Sequence, residues 1–258
     1  MLGGGCTSVG VIGWTIGGGY GALSRKYGTG ATSLLEAKIV TANGDVVIAS
    51  EFENEDLFYA MRGGGYGFGV VISITVRTHP LPEYFGSVVG LISSNDEQSG
   101  EKLVKHFLDF YKKNLLASPD WGDQLLISKS GNGLSMEINM LGANFTQKEV
   151  EKTWAPFLDW IEQRPNDFKV EYFIQNSYDA RDYWDLNVDE MLGGKIKSPY
   201  NPGEPERSFY FASHKGLNSA YWMSSYSRFL KVGQFLDDTQ RGSEILMNFI
   251  KVTGNAGF

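Results

Sequence analysis

The stretch Cys6-Thr7-Ser8-Val9-Gly10-Val11-Ile12-Gly13-Trp14-Thr15-Ile16-Gly17-Gly18-Gly19-Tyr20-Gly21 holds six glycines in sixteen residues. A glycine triplet after an apolar run supplies backbone that can turn sharply, approach a flat or charged ligand and aim its N–H groups inward. Gly3 to Gly5 lie just before it, and Gly63 to Gly65 with Gly67 and Gly69 follow, so that 17 of the 32 glycines fall in the first 69 of 258 residues. No G-X-Y period generates this crowding. With 42% hydrophobic and 14% aromatic residues, the chain is too rich in core-forming side chains for a fibre or a disordered linker. Neither G-x-G-x-x-G nor GxxxxGK[ST] occurs, because Gly19-Tyr20-Gly21 runs on as Ala22-Leu23-Ser24 and Gly65-Tyr66-Gly67 as Phe68-Gly69, which sets Rossmann and P-loop sites aside. Tight turns between strands explain any single cluster as well as a ligand does. Three clusters within about 70 residues, one beside the only cysteine, favour a ligand.

Outward from this stretch, Glu36 to Thr41 and Val46 to Ala49 are apolar runs joined through Asn43-Gly44, a hairpin signature. Asn54 stands where it can cap a two-turn helix, with Glu55 and Asp56 at its positive end and Gly63 as its stop. Val70 to Arg77 is β-branched at nearly every position and predicts a well-buried strand, ended by His79-Pro80-Leu81-Pro82. A first domain is therefore expected over residues 1–83.

From Tyr84 the composition shifts: five of six tryptophans and nine of thirteen tyrosines lie beyond that point. A strand over Ser87 to Ile92 leads to a helix whose Leu103, Phe107, Phe110, Tyr111 and Leu115 share one face. Asp123 to Ser130 and Leu134 to Leu141 flank the turn Gly131-Asn132-Gly133. Val150, Trp154, Phe157, Leu158 and Ile161 mark a second helix, which Pro156 should kink or shorten. A strand near Lys169 to Ile174 follows, and Ser224 to Ile250 reads as mostly helical. The fold class this predicts is α+β, with an antiparallel sheet covered on one face by helices over residues 84–258.

A net charge of −7 without clustered basic residues argues against nucleic acid as a partner. The apolar runs are too short to span a bilayer, and Met1-Leu2-Gly3-Gly4-Gly5 has no signal-peptide character, so no membrane segment or targeting signal is read. One cysteine permits no intramolecular disulfide and no multi-cysteine metal site; no metal site is expected. Localisation stays open: Asn144-Phe145-Thr146 is a glycosylation sequon, meaningful only in a secreted form.

The run from Cys6 to Gly21, then Ser24-Arg25-Lys26-Tyr27-Gly28, Glu36 to Gly44, Asn54 to Gly65 and Phe68-Gly69-Val70-Val71, resembles the second FAD-binding subdomain of the berberine bridge enzyme-like oxidases, in the same order. The resemblance is specific over residues 3 to about 80 and architectural beyond 84. It implies a partial PCMH-type FAD-binding subdomain over 1–83 and a substrate-binding domain over 84–258. It implies FAD against the backbone of Val9, Gly10, Gly13 and Gly17, Gly18 and Gly19, with Val70 or Val71 near its other end. In many members the cysteine at the position of Cys6 is joined through sulfur to C6 of the isoalloxazine; otherwise a lone cysteine is a small buried apolar residue. The reaction implied is oxidation of an alcohol, hemiacetal or amine carbon by hydride transfer to flavin, with O2 as acceptor and a small-molecule substrate such as a sugar, an alkaloid or another alcohol.

Departures from the family pattern are specific. Trp14 stands where plant members usually carry a histidine, and Arg62 to Gly69 is one residue shorter than the usual run. The first FAD-binding subdomain would lie before Met1, and the segment that usually carries the catalytic base beyond Phe258. The chain is expected to be the middle of a longer protein, and no catalytic residue is named in it. A truncated product or pseudoenzyme that keeps a small-molecule binding module without flavin is the alternative. Among side chains with chemistry, His79 reads as a junction loop residue and His106 as solvent-exposed, opposite the apolar face of its helix; His214 is a weak cleft candidate without partners. Tyr178, Tyr183, Trp184, Tyr200, Tyr210, Tyr221 and Trp222 are dense enough to stack on a sugar or aromatic ring, though aromatic residues on a sheet are more often core.

Overall fold

Asn43-Gly44 does turn the chain back on itself: Gly44 sits at φ 87°, its N–H bonds Thr41 O, and Thr41 N–H bonds Asp45 O. The computed structural model describes residues 2–4, 9–183, 195–197, 209–211 and 231–257. They divide into two compact units, one of residues up to 81 with 181–183, 195–197 and 209–211, the other of 82–180 with 231–257.

In the first unit, three short helices, α1 (Val11–Ile16), α2 (Ser24–Tyr27) and α3 (Gly30–Ser33), precede β1 (Leu34–Val40), β2 (Val46–Ser50), α4 (Glu55–Met61) and β3 (Val70–Val76). The strands form an antiparallel sheet ordered β2-β1-β3. Ala37, Ile39 and Ala49 from the sheet meet Phe58 and Met61 from α4 and Ile16 from α1 in one small core. Two expectations change here. β3 is not well buried: Val71, Ile74 and Val76 pack on this core, while Val70 is 67% exposed and Ile72 49% exposed. The register slips between the Lys38–Ser73 and Ile39–Val71 pairs, so the β-branched run follows a bulge and not a two-sided interior. Asn54 does not cap α4 with its side chain; it takes the left-handed conformation at φ 50° and its Nδ2 donates to Ile48 O at 2.6 Å.

The second unit runs β4 (Tyr84–Ser94), α5 (Glu97–Phe110, extended by a π turn over Tyr111–Leu115), β5 (Trp121–Ser130), β6 (Gly133–Ala143), α6 (Gln147–Glu162) and β7 (Phe168–Asp179). A short α7 (Ala180–Tyr183) follows β7, and a small ladder of β8 (Lys195–Lys197) and β9 (Phe209–Phe211) comes next in the chain. The second unit is completed by α8 (Val232–Leu236), α9 (Thr239–Thr253) and β10 (Asn255–Gly257). Its sheet is antiparallel throughout, in the order β10-β5-β6-β4-β7. Period-two alternation sends Val88, Ile92, Leu125, Ile127, Met136 and Ile138 into one core with Leu103, Phe107 and Phe110 of α5, Trp154 and Phe157 of α6, and Leu246 and Ile250 of α9. This is the α+β arrangement expected, one sheet face under helices.

The opposite face stays accessible. Its cross-strand rows are Gln124, Asn139, Val89, Ile174 and, one step along, Leu126, Glu137, Leu91, Tyr172. Gln124, Glu137, Asn139, Tyr172 and Ile174 are exposed.

Two further corrections concern helices. Pro156 neither ends nor shortens α6, which runs sixteen residues through it, held by buried Val150, Trp154, Phe157 and Ile161 and started by a reciprocal capping box between Thr146 and Glu149. His106 is not on an open face: its ring stacks on Trp160 at 3.9 Å and on Phe157 at 5.2 Å, between α5 and α6. The sequon residues have structural duties of their own, since Asn144, at φ 63°, accepts Glu83 N–H through Oδ1 at 2.9 Å. No helix among the described residues is long and apolar enough to cross a membrane.

Candidate functional site

Three of the chain's glycine-rich segments converge on one turn. Gly17 and Gly18 close α1 by donating to Gly13 O and Thr15 O. Gly18 O then accepts Ala31 N–H at 2.9 Å and Gly19 O accepts Gly30 N–H at 2.7 Å, fixing the turn to α3. From the other side, Gly63 and Gly65 both donate to Ile16 O at 3.0 Å. Arg62 locks the two borders together, its Nε donating to Ala31 O at 3.1 Å while its guanidinium lies over the Phe58 ring. Positive φ at Gly18, Gly19, Gly63, Gly65, Gly67 and Gly69 explains why neither border tolerates another residue cheaply.

The expected site residues fall into three groups. Val9 and Gly10 are exposed at the start of α1, Gly13 is half-buried within it, and Gly17 to Gly19 lie at its end. Val70 is exposed at the start of β3 opposite Val40, whereas Val71, half-buried opposite Ile39, packs against the small core. Cys6 lies outside the described residues, as do His214, Trp184, Tyr200, Tyr221 and Trp222. Tyr178 is half-buried on β7, where its hydroxyl accepts from Asn176 Nδ2 at 2.9 Å, and Tyr210 lies on β9. His79 stacks on Tyr27 at 4.1 Å, and burial of its ring lowers its pKa from the usual histidine value.

The glycines themselves sort into two kinds. A Cβ on Gly19, Gly30, Gly64 or Gly69 would run into neighbouring atoms at 2.9 Å or less, so these serve internal packing. A Cβ on Gly10, Gly18, Gly63 or Gly67 would meet nothing within 4 Å. At Gly10 the backbone, at φ −64°, makes no demand for glycine either. The open side of this turn therefore fits a planar or anionic group lying directly on the backbone, as the isoalloxazine and phosphates of FAD require.

Two contacts were not legible in the sequence. The Tyr66 hydroxyl reaches over α1, 3.1 Å from where a Gly13 Cβ would stand. The Trp14 indole sits against Gly4, Gly19 and Gly30, a packing that sequence spacing cannot show because the three glycines come from separate segments. Among the described residues no group of three His, Cys, Asp or Glu could hold a metal ion.

No family model matches the chain. It is 42% identical over 230 residues to the FAD-linked oxidoreductase phmC of Phaeosphaeria nodorum, covering 87% of this chain and 49% of that protein. It is 36% identical over 204 residues to the FAD-linked oxidoreductase apf9 of Gibberella fujikuroi, covering 70% of this chain and 34% of that one. In structure it resembles the VAO-type flavoprotein MtVAO615 from Myceliophthora thermophila C1, with a TM-score of 0.56 and 30% identity over 69% of this chain and 32% of that one. The glucooligosaccharide oxidase of Acremonium strictum gives 0.55 and 25% identity over 73% and 38%; a further structure of that enzyme is described as carrying a 6-S-cysteinyl, 8α-N1-histidyl FAD. The chain spans about a third to a half of the curated relatives it matches. On these likenesses the chain belongs to the berberine bridge enzyme-like, VAO-type family of FAD-linked oxidoreductases.

Proposed function

We propose that residues 1–83 form part of a cradle for FAD and that residues 84–258 supply substrate-binding surface for oxidation of a hydroxyl-bearing carbon, with a sugar-type alcohol or hemiacetal as the preferred class. The carrying observation is that Gly63 and Gly65 both bond Ile16 O beside the Gly17 to Gly19 turn, while nothing lies within 4 Å of a Cβ at Gly10, Gly18, Gly63 or Gly67. FAD, when bound, supplies a hydride acceptor that is reoxidised by O2. The chain's own part is to bind and orient: the backbone of Val9, Gly10 and Gly13 would lie against the cofactor, and Cys6 would hold it through sulfur. The open sheet face presents Gln124, Glu137 and Asn139 beside Tyr172 and Ile174, a mix of hydrogen-bonding groups and one ring that suits a hydroxylated substrate. The sugar preference is supported by the likeness to the Acremonium glucooligosaccharide oxidase and to a Microdochium nivale carbohydrate oxidase, 25% identical with a TM-score of 0.52.

The test is spectroscopic. The purified chain should be yellow, keep its colour in an acid-precipitated pellet, and lose that retained colour in Cys6→Ala. Gly10→Ala should weaken FAD binding by about tenfold or more while costing the fold at most about 1 kcal/mol in urea unfolding. A chain that purifies colourless and takes up no added FAD overturns the flavin reading and leaves the binding module without flavin in its place.

A further inference from the structure

Trp14 occupies the position at which the resembling plant proteins usually carry a histidine, yet its indole has no proton to exchange with a substrate. Its Nε1–H is committed to Tyr20 O at 3.1 Å. Its six-membered ring is instead enclosed by backbone. A Cβ on Gly30 would stand 2.5 Å from Cζ3, one on Gly19 would stand 2.9 Å from Cε3, and one on Gly4 would stand 2.9 Å from Nε1. The three glycines belong to three separate pieces of chain: residues 2–4, the turn after α1, and the first residue of α3. Gly30 and Gly4 have no positive φ, so crowding by the indole is the feature that forbids a side chain at them. Gly21, in turn, packs so closely on Gly3 O that no Cβ fits there either.

We propose that Trp14 is the positioning residue of the cofactor turn: its indole is the template on which Gly4, Gly19 and Gly30 close, so that it sets the path of residues 17–21 and holds residues 2–4, the approach to Cys6, against them. The inference rests on the flavin reading for its consequence and on the geometry alone for its cause. Backbone from three segments closes on the ring, and the bonds Gly30 N–H to Gly19 O and Ala31 N–H to Gly18 O tie two of them together beside it. Taking the ring away leaves a void that the glycines cannot fill, because they have no side chains with which to fill it. Those two hydrogen bonds then bridge a cavity, and residues 2–4 lose the surface that anchors them. A histidine, with its smaller ring, would leave the part of the space beside Gly30 unfilled.

The experiment uses the full chain with two readouts. Hydrogen exchange read by mass spectrometry should show the amides of Gly30 and Ala31 exchanging about tenfold faster or more in Trp14→Ala, while the β5–β6 ladder of the second unit keeps its protection as an internal reference. The fraction of flavin retained after acid precipitation should fall several-fold in Trp14→Ala and recover in good part in Trp14→Phe, which restores a ring. Val47→Ala is the control for general loosening, since Val47 packs on the same unit's core from β2, outside the glycine turn. At a temperature where Val47→Ala and Trp14→Ala are equally folded, Val47→Ala should retain flavin as the parent does. Parent-like exchange at Gly30 and Ala31 in Trp14→Ala overturns the template. Faster exchange with undiminished flavin retention overturns its role in placing the cofactor, as does equal loss in Val47→Ala. A parent chain that binds no FAD removes the flavin reading, while the exchange measurement still decides whether the indole shapes the turn.

Discussion

His106 stacks its ring on Trp160, which in turn lies under the Arg164 guanidinium at 4.1 Å, and its Nε2 is 3.3 Å from Phe157 O. Burial lowers its pKa from 6.5, with Arg164 and Lys105 acting in the same direction against the Phe157 carbonyl and Asp109. The folded state therefore binds this proton less well than the unfolded chain does. The stability it contributes is complete above about pH 6.5 and is lost as pH falls through the lowered value in the folded protein. The urea midpoint should drop between pH 7.5 and pH 5, and His106→Gln should show a shallower pH dependence; identical slopes in parent and variant would remove His106 as the cause. Helical spacing from Leu103 and Phe107 points this side chain away from the main core, and so it does lie outside that stripe. What spacing could not reveal is a second helix arriving with Trp160. The same holds at Trp14. A single residue's neighbours are set by chain segments far away in sequence, whereas a positive φ, as at Gly44, is written locally in Asn-Gly.

At the scale of elements, periodicity carried the reading. Both hairpin turns, the amphipathic faces of α5 and α6 and the four long strands of the second unit's sheet were legible because each is a local pattern with a physical reason. The element that misled was β3, whose β-branched run signals strand propensity but not what covers it. Pro156 misled in the opposite direction. Its ring is exposed while Trp154 and Phe157 on either side are buried, so tertiary packing holds the helix together despite the missing donor. Pro156→Ala should restore that hydrogen bond without opening the core, and raise stability by about 1–3 kcal/mol. Differential scanning calorimetry would register this as a higher melting temperature of the second unit, and an unchanged or lower value would mean that the helix has adapted its backbone to proline.

Across the whole molecule, glycine gives way to aromatic residues near residue 82, since turns and large cores need different side chains, while nothing in composition separates residues 181–183, 195–197 and 209–211 from the second unit. Composition does not show that the second unit's sheet is finished from a distance: β10 pairs with β5 through Asn255 opposite Ser128 and Ala256 opposite Ile127. Removing residues 255–258 should uncover the β5 edge, cost on the order of 1–3 kcal/mol for the ladder bonds lost, and speed aggregation followed by light scattering. A shortened chain as stable and as clear in solution as the parent would show that β10 contributes nothing. The pairing also has a schedule. On the ribosome, β5 is made roughly 130 residues before the strand that covers it, a wait on the order of ten seconds at ordinary elongation rates. During that interval one unpaired edge of β5 is available to any passing extended peptide, which makes this unit a natural client for whatever escorts nascent chains.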